Sequence, residues 1–119
     1  MSSLASLPDA LAHPTHLARL AYLDGRVAAV ARLLESSFPG LVFAGRALRA
    51  AGRRLCADPA VLARGLDDTR VEAATVASIL GRFPIESVEE GEALLIVEAD
   101  LVAIQREARR LTVVLGGDQ

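Results

Sequence analysis

The stretch Val88-Glu-Glu-Gly-Glu-Ala-Leu-Leu-Ile-Val-Glu-Ala-Asp-Leu-Val-Ala-Ile-Gln-Arg-Glu-Ala-Arg-Arg-Leu-Thr-Val-Val-Leu-Gly116 decides the fold. Its apolar positions Leu94, Val97, Leu101, Ile104, Ala108, Leu111 and Leu115 advance by three and four residues without a slip. That is the period of an amphipathic helix. Both ends agree with it. Ser87 and Glu90 have the spacing of a capping box, and Gly116 suits a C-terminal cap. Glu86, Glu89, Glu90 and Glu92 gather where the helix dipole is positive, and Arg106, Arg109 and Arg110 where it is negative. The pattern predicts one helix over about 88–115. Residues 93–98 and 111–115 also read as strand-like runs, which an α+β fold would use.

A helix of that size is roughly 42 Å long at 1.5 Å per residue. A compact chain of this length has a diameter of about 35 Å. The helix therefore runs the length of an elongated bundle or protrudes from a rounder one. Its seam needs a partner, supplied by the same chain or by another. Helices 16–36 and 41–56 are the expected internal cover. The external alternative is a homodimer in which the acidic start of one copy meets the basic end of the other.

Upstream, Leu20, Leu23, Val27, Val30 and Leu34 mark a helix over about 16–36, with Thr15 as its N-cap. Gly25 lies inside it, at a cost of about 1 kcal/mol against alanine, and is expected to kink or split it. Ser36-Ser37-Phe38-Pro39-Gly40 reads as a loop. Leu41, Ala44, Leu48, Ala51 and Leu55 mark a helix over about 41–56. Asp58-Pro59 is a cap followed by a proline in the first turn; a short helix over 59–66 is expected to end at Gly65. A fourth segment over about 69–82 carries Ala73, Val76, Leu80 and Phe83 on one face, and Gly81 and Pro84 end it. Residues 1–15 read as an arm punctuated by Pro8 and Pro14, with one helical turn over 9–12. The expected architecture is all-α: a bundle of four to five helices in a single domain, 16–119, with a long C-terminal helix.

Composition narrows the function. The 119 residues suit one domain. Half are apolar, which argues against disorder. The net charge is −2, so bulk-charge nucleic-acid binding is not expected. All 13 basic residues are arginine. Without lysine there is no Schiff base and no P-loop lysine. Arginine in place of lysine, together with abundant alanine, fits a GC-rich bacterial genome. Cys56 is the single cysteine, so no internal disulfide can form, and a reducing cytoplasm is the expected compartment. No run approaches the ~18 apolar residues of a membrane span, and the N-terminus lacks the basic-then-apolar pattern of a signal peptide.

Four groups of residues bear on chemistry. Arg46, Arg49 and Arg53 share one face of helix 41–56, with Arg54 beside them: a candidate anion-binding or nucleic-acid ridge. No aromatic side chains interleave with them to stack bases, so a solvated or ion-paired face is the expectation. His13 and His16 have the spacing of a metal-binding pair, but Pro14 interrupts them and no third ligand sits at fixed spacing. No metal or other cofactor is expected. Cys56 adjoins the apolar stripe and suits a buried role. Glu98 and Asp100 are candidate bases for an enzyme that binds an anion through arginines, although helix-dipole matching explains the acidic stretch 86–100 more simply.

One local likeness touches function. Residues 10–15, 27–34 and 47–52 resemble the opening of metal-sensing winged-helix repressors. That resemblance places a recognition helix on Leu41-Val-Phe-Ala-Gly45, which offers no side chain to base edges, and no β-wing pattern follows Gly52. The expected protein is a small non-catalytic interaction protein: an adaptor, regulator or chaperone-like subunit. It is expected to self-associate or dock a protein through the seam Leu94–Leu115. A DNA-binding regulator built on the arginine ridge, and a small enzyme with sites at a dimer interface, are the alternatives.

Overall fold

The computed structural model describes residues 14–55 and 58–116. Among them are four α-helices: α1 (Pro14–Ser37), α2 (Val42–Gly52), α3 (Pro59–Leu80) and α4 (Val88–Gly116). A 3-10 turn, Pro39–Leu41, joins α1 to α2, and no strand occurs among the described residues. The strand-like runs 93–98 and 111–115 are both helical. The molecule measures 54 × 21 × 18 Å, so the 29-residue α4 runs along an elongated bundle and does not protrude.

The helices form a ring. α1 packs on α2 and α4, α3 packs on α2 and α4, and α2 does not reach α4. Leu23, Val30 and Leu34 of α1, Leu48 of α2, Leu62 and Val76 of α3, and Leu101, Ile104 and Leu111 of α4 are fully buried. Each such side chain contributes roughly 1.5–3 kcal/mol of burial.

Several local expectations hold. The Asp58 side chain accepts a hydrogen bond from the Ala60 N–H at 3.0 Å, and Pro59 opens α3. The Glu90 N–H donates to Ser87 Oγ at 3.1 Å. The return bond of that capping box lands one residue early, because Glu90 Oε1 accepts from the Glu86 N–H at 2.8 Å.

Other boundaries differ from expectation. α1 begins at Pro14, where proline's missing N–H costs nothing, so Thr15 lies within the first turn. Gly25 does not split α1, whose 24 residues are continuous and flanked there by open space. The two segments expected over 59–66 and 69–82 are one helix. Gly65 does not end a helix; it admits a neighbouring backbone. A Cβ there would lie 2.7 Å from the carbonyl carbon of Arg54. Gly45 and Gly52 permit close approach between α2 and α1, the first to a backbone carbonyl and the second to a side chain. A Cβ on Gly45 would meet Ala31 O at 2.9 Å, and one on Gly52 would meet Val27 Cγ1 at 2.8 Å. Residues 1–13, including the turn expected over 9–12, lie outside the described residues.

Candidate interaction surface

The structure closes the seam. Val97, Leu101, Ile104, Ala108, Leu111 and Leu115 are buried, and Leu94 packs partly buried against the same core. α1 and α3 cover them. The expected cover of 16–36 and 41–56 is thus half right: α3, not α2, is the second wall. Docking another chain onto the seam would require α1 or α3 to leave.

The arginine ridge does not act as one group. Arg49 turns to α1 and donates to both carboxylate oxygens of Glu35, at 3.0 and 3.3 Å. It serves the α1–α2 junction. Arg54 pairs with Asp68 at 3.0 Å. Arg46 and Arg53 are exposed and enter no ion pair among the described residues.

Asp100 is likewise engaged. Its carboxylate accepts from the Arg26 guanidinium, which joins α1 to α4. Arg26 also donates to the Tyr22 hydroxyl at 2.9 Å. That hydrogen bond first, and the Asp100 charge second, hold the Arg26 pKa above its ordinary value. Glu98 stands exposed on α4. His16 lies at the start of α1, while His13 and Cys56 lie outside the described residues. No cluster of three metal-ligating side chains occurs among the described residues.

What the chain leaves uncovered is the opposite face of α4. Val88, Leu95, Ile96, Val102 and Val113 are all at least half exposed, Leu95 at 69 %. Positions 88, 92, 95, 99, 102, 106, 109 and 113 advance by four and three, and all eight are exposed. They form a second stripe on the side away from the seam. Valine, leucine and alanine fill five of these positions, Glu92 one near the start, and Arg106 and Arg109 two towards the end. Along it lies a shallow depression of about 240 Å³ lined by Val102, Gln105, Arg106 and Arg109. Those four residues are spaced as i, i+3, i+4 and i+7, the outline of the hole that receives a side chain in helix–helix packing. A second groove on α3, about 400 Å³, lies among Arg70, Val71, Thr75, Ile79 and Arg82.

The seam is the stronger sequence signal because it is continuous and wholly apolar. The outer stripe was legible by the same spacing, offset by half a turn, but its charged members interrupt the apolar signal.

Matched against known protein families, curated proteins and solved structures, the chain finds no counterpart. Its function must therefore be argued from these surfaces. No helix among the described residues is long and apolar enough to cross a membrane.

Proposed function

We propose that this protein is a small non-catalytic helical interaction module, an adaptor or regulatory subunit, that docks protein through the outer face of α4. One observation carries the reading. α4 presents large apolar side chains on its solvent side after its seam has already been covered from within. A helix needs one apolar face to fold into a bundle; a second set of large apolar side chains on its solvent side, interspersed with charges of both signs, suits an interaction site. The engagement of Asp100 by Arg26 takes up one of the two candidate bases of the enzymatic reading. A cytoplasmic place of action goes with this proposal, since the single cysteine cannot make an internal disulfide.

The test compares the wild type with Leu95→Glu/Val102→Glu. Both positions are exposed, so the double variant should fold normally. Light scattering reads self-association, and capture of a stoichiometric protein partner reads hetero-association. The proposal expects at least one of these in the wild type and its loss in the variant. A wild type that stays monomeric, with a set of captured proteins identical to the variant's, would end it. A thermal-shift panel of metabolite anions is the complementary arm: a large rise in melting temperature would favour the enzyme.

A further inference from the structure

Resting on that reading, we infer that the partner for the outer face of α4 is a second copy of the same helix. The two copies lie antiparallel about a twofold axis passing midway between Ala99 and Val102.

Register along α4 selects this pairing. Let the stripe pair with itself about that point. Val88 then meets Val113 of the second copy, and Ala99 meets Val102. Glu92 meets Arg109, and Leu95 meets Arg106. Every layer is apolar on apolar, acid on base, or an aliphatic side chain against the stem of an arginine. The positions flanking the stripe follow suit. Glu89 falls opposite Arg110, Ile96 opposite Ala103, and Glu98 opposite Gln105. A parallel pairing would instead stack Glu92 on Glu92 and Arg109 on Arg109. The separation of acidic and basic ends along α4 thus selects the antiparallel arrangement.

The shape of the same stripe is compatible with this register. The depression formed by Val102, Gln105, Arg106 and Arg109 is centred between residues 105 and 106. The twofold axis brings Leu95 of the second copy over that point. Leu95, 69 % exposed, is the knob; the depression is its hole. Because the axis is twofold, the exchange happens twice, once on either side of Ala99 and Val102. The groove on α3 is not part of the inference.

The experiment uses light scattering on the full chain at two protein concentrations about 100-fold apart, at low and high salt. The wild type is expected to be dimeric at the high concentration and loosened by salt. Variant one carries Glu89→Arg with Glu92→Arg; variant two carries Arg109→Glu with Arg110→Glu. Each alone sets like charges opposite one another and should weaken association by about 10-fold or more at low salt. Mixed one to one, the two should form a heterodimer, since every reversed pair is then opposite in charge again. All four residues are exposed, and circular dichroism with a melting curve checks that each variant folds.

A wild-type monomer under every condition overturns the inference. So does a dimer indifferent to both variants, or two monomeric variants that fail to pair on mixing. If the wild type is monomeric but captures another protein in a manner sensitive to Leu95→Glu/Val102→Glu, the inference falls and the interaction reading stands. If neither occurs, both fall.

Discussion

The rings of Phe38 and Phe83 meet edge to face, their centroids 5.7 Å apart and their planes 84° apart. Phe38 sits in the link from α1 to α2, and Phe83 in the link from α3 to α4. One contact thus ties together both connections at that end of the bundle. Phe38 is fully buried while Phe83 is only partly so. Phe38→Ala should cost about 3–5 kcal/mol, the range for emptying a buried aromatic site. Phe83→Ala should cost clearly less. Urea unfolding of both variants checks the order; equal costs would mean that the ring pair does not rest on Phe38's burial.

Gly25 and Gly65 lie in helix interiors and should respond oppositely to a methyl group. Gly25 faces open space, so Gly25→Ala should stabilise by about 0.5–1 kcal/mol through helix propensity and a less flexible unfolded chain. At Gly65 the added carbon would strike the backbone of Arg54, which cannot swing aside as a side chain can. Gly65→Ala should destabilise by about 1–3 kcal/mol, in the manner of an overpacked core. Two melting curves decide it.

Thr69 is fully buried, and its hydroxyl meets no hydrogen-bond partner among the described residues. A buried polar group without a partner opposes folding. Thr69→Val keeps the shape and removes the hydroxyl. The expected gain is about 1 kcal/mol, or roughly 3–5 °C in melting temperature for a chain of this size. A lower melting temperature would show that the hydroxyl is satisfied in solution.

The two faces of α4 should separate cleanly under alanine. Leu101→Ala empties a fully buried site and should cost about 2–5 kcal/mol. Leu95→Ala, on the exposed face, should change the monomer's stability by less than about 0.5 kcal/mol while weakening whatever the face binds. Denaturation at low protein concentration and light scattering at high concentration read the two effects apart.

The sequence disclosed much of the fold and less of the surface. The stripes of α1 and α4 were legible because each repeats over five to seven layers, longer than any accidental run. The division of α3 was misread because Gly65 is locally a helix breaker. Its reason for being there is the Arg54 backbone, eleven residues away and invisible to a local pattern. The same holds for the Arg46, Arg49 and Arg53 face. Spacing showed three arginines in a row but not Glu35, which belongs to another helix and claims the middle one. The covering of the seam by α3 in place of α2 depends on lengths. α2 has only 11 residues and packs on α1 and α3, leaving the 22-residue α3 to line α4.

The bundle is a circuit more than a line. Each helix has two neighbours, and α4 returns to lie beside α1. Arg26 meets Asp100, and Tyr22 lines a groove with Ala103 and Glu107 one turn further along, so the two helices run in opposite directions. The Pro14 end of α1 and the Gly116 end of α4 therefore lie at the same end of the molecule. A gene rewritten to join those two ends through a short flexible linker, and opened between Pro84 and Ile85, would encode the order α4, α1, α2, α3. Its polypeptide should reach the same native packing, with Ser87 and Glu90 still capping α4. Where the ribosome starts reading is then, for this architecture, incidental to what it builds.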